Sequence, residues 1–382
     1  MPLLPFFLIS WLLHGYVGWR VAPDLPGGSW AVGAFIAVLI VSALLMPMAV
    51  LARNVRTQPL SDRLAWAGGL AMGLFSSLFV LAVVRDVALV AVFIAGLALP
   101  SLLVGAAFDQ WTAGAVPLLG LVITFLGFVN ARRTAAVVQV DIPISGLPSA
   151  LNGFTIAQIS DIHVGPTIKG AYLRRIVAAV NRLNADMVAV TGDLVDGSVR
   201  ELAGHVAPLA ELSSRHGTFF VTGNHEYYSG APAWVTELRR LGLSVLMNQH
   251  VVLQHQGEAL VIAGVTDFGA HHFDVLQRSD PQAAIEGAPA TATTRVLLAH
   301  QPRSAEAAER AGFQLQLSGH THGGQFLPWN FFVRFQQPFT AGLHRLRGLW
   351  VYTSRGTGYW GPPKRFGAPS EITRLRLVPA AA

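Results

Sequence analysis

Two patterns of apolar residues divide the chain. Through the first third the apolar runs are long and unbroken. Residues 30–52, "WAVGAFIAVLIVSALLMPMAVLA", carry no charge over 23 positions, 64–84 and 87–108 none over 21 and 22, and 113–130 none over 18. Residues 3–19 add a 17-residue stretch. A helix needs about 20 apolar residues to cross the hydrocarbon of a bilayer, so this pattern predicts four or five membrane spans. Trp11, Trp19, Trp30, Trp66 and Trp111 fall mostly near the ends of these stretches, where indoles favour the membrane–water interface. The first stretch lacks the basic start and small-residue cleavage site of a removable leader.

After Arg133 the pattern changes to short apolar runs with Gly and Pro between them, as in "AAVVQVDIPISGLPSALNGFTIAQIS". The boundary is therefore expected near 134, with a transmembrane region at 1–133 and a globular domain at 134–382. Five runs in this second part share one feature: each ends directly in a polar residue able to bind a metal. "FTIAQIS" leads to Asp161 and His163, "DMVAVTG" to Asp193, and "GTFFVTG" to Asn224 and His225. "RVLLA" leads to His300, and "FQLQLSG" to His320 and His322. Runs of this length read as strands buried on both faces. Between them Leu173, Ile176, Val177, Val180 and Leu183 fall at helical spacing, as do Trp234, Val235, Leu238 and Leu241. Ser304 is placed to cap a further helix, "AEAAERA", ending at Gly312. Strands alternating with helices, and polar residues at strand ends, are how α/β folds build sites. The last third is richer in strand.

Composition sharpens this picture. Charged residues are 13% of the 382, against about 25% in an ordinary soluble domain, and the deficit lies in residues 1–131, which contain no lysine. The net charge of +6 comes without a Lys/Arg block, so no nucleic-acid partner is expected. Cysteine is absent, which excludes disulfides, thiolate catalysis and Cys-ligated metals. Arg53, Arg56 and Arg63 mark the loop 53–63 as cytoplasmic. Three further crossings would then put the globular domain on the other side, whereas Arg132 and Arg133 favour the cytoplasmic one. A re-entrant or interfacial 87–108 or 113–130, made irregular by Pro100 or Pro117, would reconcile the two. The expectation is a multi-pass protein of the cell (inner) membrane with its domain on the cytoplasmic side. The sequence does not fix an oligomeric state.

Asp161, His163, Asp193, Asn224, His300, His320 and His322 are four imidazoles, two carboxylates and an amide. Seven ligands exceed the needs of one ion and suit two, and oxygen with imidazole suits Mn, Fe, Zn, Co or Ni. Two divalent ions against two aspartates leave the site at about +2, a charge that attracts an anion and lowers the pKa of a bound water.

The motifs "DIH", "GDLVD", "GNHE", the His of "LLAHQP" and "GHTH", in that order across about 150–375, resemble the calcineurin-like metallophosphoesterase family. "ISDIHVGPT", "VTGNHEYYSG" and "SRGTGYWGPP" resemble its bacterial membrane-anchored members. The resemblance implies an α/β domain built as a sandwich of two sheets flanked by helices, here behind an N-terminal α-helical transmembrane bundle. It implies that Asp161, His163 and His322 hold one ion, that Asn224, His300 and His320 hold a second, and that Asp193 bridges them. A hydroxide between the ions would attack phosphorus in line. His225 would steady the phosphoryl oxygens or protonate the leaving group, and Asp196 is placed to orient His225. Glu226 stands where many members have Asp, so that side chain is given no role of its own.

The expected function is a membrane-bound phosphoesterase acting on a mono-, di- or pyrophosphate, with a lipid-linked substrate suggested by location. The alternative is a membrane sensor or scaffold whose phosphoesterase-like domain is silent. A transporter is disfavoured because the spans hold almost no ionisable residue besides His14. "FLPWNFFVRFQQPF" (326–339), with six aromatics after the His pair, reads either as a packed segment or as a loop at lipid headgroups. "DFGAHH", with His271 and His272, is a candidate rim.

Overall fold

The computed structural model describes residues 4–55, 57–99 and 105–380. Arg56 and Pro100 lie outside them. The chain forms two compact units, one of Met1–Arg132 with Gly361–Phe366 and one of Arg133–Trp360 with Gly367–Ala382.

The first unit contains α1 (Leu4–Val21), α2 (Gly28–Leu45), α3 (Met48–Leu51), α4 (Leu60–Ala98) and α5 (Ala106–Arg132). Three helices among the described residues are long and apolar enough to cross a membrane: Gly28–Leu51, Leu60–Ala98 and Ala106–Arg132. The expectation was four or five spans, and the difference lies in two places. The stretch 3–19 forms α1, but Ser10, His14, Tyr16 and Arg20 dilute its apolar character. The stretch 64–84 and the part of 87–108 up to Ala98 lie on one continuous helix, because the 39-residue α4 runs through Arg85 and Asp86.

The charges at that point are satisfied from neighbouring elements. Arg85 reaches Asp24 at 2.6 Å and Thr112 at 3.1 Å, and Asp86 takes Tyr16 at 2.7 Å and Arg20 at 2.9 Å. With these partners in place, nothing forces the helix to stop. His14 is likewise held, by the Ser10 carbonyl at 2.7 Å and the Ser42 hydroxyl at 3.0 Å, so it joins α1 to α2 as polar residues do between membrane helices. Lys364, on the returning segment, donates to the Gly73 carbonyl (2.9 Å) and the Ser77 hydroxyl (2.6 Å) of α4.

The second unit is a two-layer sandwich. Its strands are β1 (Ala136–Ile144), β2 (Thr155–Ile159), β3 (Met187–Val190), β4 (Thr218–Phe220), β5 (Ser244–Val245) and β6 (Gln249–His255). They continue with β7 (Glu258–Gly264), β8 (Thr294–Leu298), β9 (Leu315–Ser318), β10 (Gly342–Leu346), β11 (Leu349–Thr353) and β12 (Glu371–Pro379). One sheet runs β1-β12-β2-β3-β4-β5 and the other β10-β11-β9-β8-β7-β6. Both are mixed. β2, β3, β4 and β5 are parallel, as are β7, β8, β9 and β11, while β12–β2, β6–β7 and β10–β11 are antiparallel.

Ile156, Met187, Phe219 and Leu375 of the first sheet join Leu260, Val296, Leu315 and Tyr352 of the second in one buried core. Helices α6 (Gly170–Asn181), α7 (Val199–Val206), α8 (Asn224–Ser229) and α9 (Ala231–Arg240) follow strands of the first sheet. Leu173, Ile176, Val177 and Val180 are the buried face of α6, as their spacing predicts. Against the second sheet, Ala284 of α10 (Pro281–Ile285) and Ala305 and Ala308 of α11 (Ala305–Arg310) meet Val261 and Ala263. Ser304 precedes α11 but makes no capping bond, because it already lies in a 3-10 turn with φ −68° and ψ −11°. Helix α12 (Asn330–Val333) stands inside the aromatic stretch.

Candidate metal centre

β2, β3 and β4 in one sheet, and β8 and β9 in the other, are parallel, and the turns at their C-terminal ends carry all the predicted ligands. The turns are sharp. Asp161, His163, Asp193, His320 and His322 have φ of 53°, 56°, 51°, 70° and 52°, the left-handed region that side chains seldom occupy. Five of seven candidate ligands therefore sit in strained backbone, which persists only where surrounding structure enforces it. His320 and His322 are thus not alternate residues of an extended chain, as "GHTH" suggests, but two left-handed residues flanking Thr321. Gly319 shows how tightly the turns pack. A Cβ there would lie 2.2 Å from Asp161 Oδ2.

These turns bring seven polar groups to one place. Ligand atoms of Asp161, His163 and His322 lie within 4.8 Å of one another, and so do those of Asp193, His300 and His320. His163 Nε2 is 3.1 Å from His322 Nε2, which is 3.5 Å from Asp161 Oδ1. His320 Nδ1 is 3.2 Å from His300 Nε2, itself 3.2 Å from Asp193 Oδ2. The same Asp193 oxygen is 3.9 Å from His163 Nε2, so this carboxylate stands between the two groups. Asn224 Oδ1 is buried without a hydrogen-bond partner.

The donor chemistry fits cations. His163 Nδ1 faces the Asp196 carboxylate at 3.1 Å, and His300 Nδ1 faces the Thr191 carbonyl at 2.7 Å. Each Nδ1 has an acceptor of its own, and each Nε2 faces another imidazole nitrogen at 3.1–3.2 Å, a gap that a shared proton or a cation can fill. An outer partner on the remote nitrogen is the usual arrangement of metal-bound histidine, and the orphaned Asn224 oxygen completes an oxygen–nitrogen donor set.

Electrostatics separate these groups into roles. Burial, then the neighbouring His300 charge, lowers His320 to about 3, which leaves it a neutral ligand. Burial alone would lower His225 as well, but Asp193 and Asp196 override it and raise this imidazole to about 9. His225 Nδ1 lies 2.5 Å from Asp196 Oδ1, and its Nε2 is 4.0 Å from Asp193 Oδ2. Asp196 thus holds two histidines at once, His225 and the candidate ligand His163. Sequence reasoning assigned it only the first.

Glu226, given no role of its own from the sequence, has one in the structure. It is fully buried, and its carboxylate accepts the backbone N–H groups of Gly223 (2.6 Å), Leu194 (2.7 Å) and Asp193 (3.0 Å). It therefore ties the β3 turn to the β4 turn. Its acid–base balance is set first by burial and then by the Asp193 charge, which together raise it to about 7. The signal available in the sequence was an acid three residues after a glycine at a helix start. His271 and His272 join none of the metal-capable groups among the described residues. His255 is buried and pairs with His216 at 3.1 Å.

A strained cluster of imidazoles and carboxylates at the ends of parallel strands is an arrangement able to hold metal ions in an α/β fold. The calcineurin-like phosphoesterase pattern matches residues 154–324. A zebrafish "transmembrane protein with metallophosphoesterase domain" is 38% identical over 274 residues, covering 69% of this chain and 62% of that one. An uncharacterized metallophosphoesterase of Campylobacter jejuni is 36% identical, covering 68% and 67%. Another from Aquifex aeolicus is 33% identical, covering 58% and 84%. The chain belongs to the calcineurin-like metallophosphoesterase family. It spans about three-fifths of the length of the vertebrate relatives it matches.

Proposed function

We propose that this protein is a membrane-bound phosphoesterase with two divalent ions at its centre. The observation that carries the reading is the pair of inward-facing donor groups with Asp193 between them. Asp161, His163 and His322 would hold one ion and Asn224, His300 and His320 the other, with Asp193 shared. Ions bound there would supply Lewis acidity and a water of lowered pKa.

The chain's own residues do the rest. Asp196 fixes the His225 ring, and its carboxylate favours the protonated imidazole against the effect of burial. A cationic imidazole beside the ions binds a phosphoryl oxygen, and it can pass its Nε2 proton to a departing alkoxide. The substrate is then a phosphate ester, and the membrane helices favour one carried by a lipid. With α4 as one span, two crossings separate the arginine-bearing loop 53–63 from the domain, so both share a side. By the positive-inside rule that side is cytoplasmic, in agreement with Arg132 and Arg133.

The test is turnover of an aryl phosphate mono- and diester by the purified full chain with Mn²⁺. Activity that disappears in Asp193→Ala supports the reading. A folded, metal-loaded protein inert on both esters would leave a silent scaffold instead.

A further inference from the structure

Large apolar side chains exposed on the second unit are not scattered. Among its described residues, all but Val137 stand on four segments around the metal centre: Tyr228, 268–276, 327–335 and Trp360. Tyr228 and Trp360 lie against His225, with ring centres 5.3 and 5.6 Å away. Phe273 packs on Tyr228 at 5.6 Å and carries the first lobe outward to Leu276, which is 91% exposed. The second lobe follows the His320–His322 turn and presents Trp329, Phe332 and Phe335, the last 74% exposed. The middle of the aromatic stretch, from Trp329 to Phe335, is therefore not core, whereas Phe326 is buried and Phe339 packs against the second sheet's outer cluster.

Both lobes are braced. The Tyr227 hydroxyl donates to Gln277 Oε1 at 2.8 Å, and the Gln337 side chain accepts the Arg303 N–H at 3.2 Å. Gly324 lies so close to Asn330 that a Cβ would fall 2.1 Å from its Cα. Arg303 joins the lobes, stacking on Phe268 at 5.1 Å while its guanidinium donates to the Gln336 carbonyl. Braced loops cannot fold these side chains away from water.

We propose that this two-lobed rim docks on the headgroup zone of a bilayer containing anionic lipid, so that the metal centre opens at the height of membrane-borne phosphates. Three features select a lipid surface. Tryptophan and phenylalanine mixed with arginine is the composition that settles at headgroups. The stretch 326–339 has Arg334 and no acid, and both Arg334 and Arg303 are exposed, which complements anionic headgroups. The acid of the other lobe, Asp274, is engaged by the Leu276 N–H at 3.0 Å. Finally, the first unit has three helices long and apolar enough to cross a membrane, so the chain as a whole has a bilayer within its reach. The inference rests on the membrane reading of the first unit and not on catalysis.

The absence of cysteine makes the test direct. Leu276→Cys, Phe332→Cys and, as a control before β4, Arg215→Cys are each labelled with a bimane. The full chain is placed in nanodiscs of phosphatidylcholine and phosphatidylglycerol. Nitroxide-bearing lipid should quench the labels at 276 and 332 while iodide does not, with the reverse at 215. Iodide quenching of all three alike overturns the proposal. So does protection at 276 and 332 that appears only with two copies per disc, which would make the rim a contact between chains. Aryl phosphate turnover of the same samples reports on the metal centre separately.

Discussion

At the scale of the residue, the candidate centre leans on side chains outside the seven expected ligands. Glu226 accepts three backbone N–H groups in a site without water access. Glu226→Ala leaves those donors unpaired, at a cost on the order of 3 kcal/mol or more. Chemical denaturation should show that loss, and metal analysis after dialysis should show weaker retention, because the β3 and β4 turns separate. His225→Ala should behave oppositely. Turnover falls by about 10²–10⁴, the usual worth of a positioned acid, while metal content stays at the parent level; a loss of metal would place His225 among the ligands. The residues that the structure brings together as candidate ligands could be picked out in the sequence because strand ends and metal-capable side chains are both written there. Glu226 could not, since an acid bonded to backbone N–H groups looks in one dimension like any other acid. Nor were the left-handed turns visible, because Asp and His do not advertise them as Gly does.

At the scale of the element, α4 is where sequence and structure part. Arg85 and Asp86 interrupt the apolar pattern and read as a loop. The structure pairs them with Asp24 and Arg20 across other elements, information that no local window contains. Packing of α4 is also tight. A Cβ on Gly68 would lie 2.3 Å from the backbone nitrogen of Ala49 in α3, and one on Gly120 of α5 would lie 2.7 Å from Leu78. Gly68→Val should therefore push α3 from α4 and lower the melting temperature of the detergent-solubilised protein. Gly33→Val in α2, where a Cβ meets nothing within 4 Å, should leave it close to the parent. The strand-end turns of the second unit were easier to read, because each motif lies within a few residues of its strand.

At the scale of the whole molecule, the apolar pattern suggested a boundary near 134 but gave no sign that Gly361–Phe366 returns to the first unit. That segment resembles a surface turn until Lys364 is seen bonded to Gly73 and Ser77, some 290 residues earlier. Ions that bind only the folded centre should stabilise it by mass action, by about 2.7 kcal/mol at a hundredfold excess over Kd. Chelation followed by Mn²⁺ should therefore lower and then restore the melting transition. The number of crossings has a larger consequence. Five separate spans would set the loop 53–63 and the metal centre on opposite sides of the membrane, whereas a continuous α4 followed by α5 sets them on the same side. Gln58→Cys and Arg215→Cys introduce single thiols into a chain that has none. In sealed right-side-out vesicles a membrane-impermeant maleimide should reach neither until the vesicles are opened. In inverted vesicles it should reach both. Labelling of one site but not the other would restore the extra span and move the phosphoesterase across the membrane from its arginines.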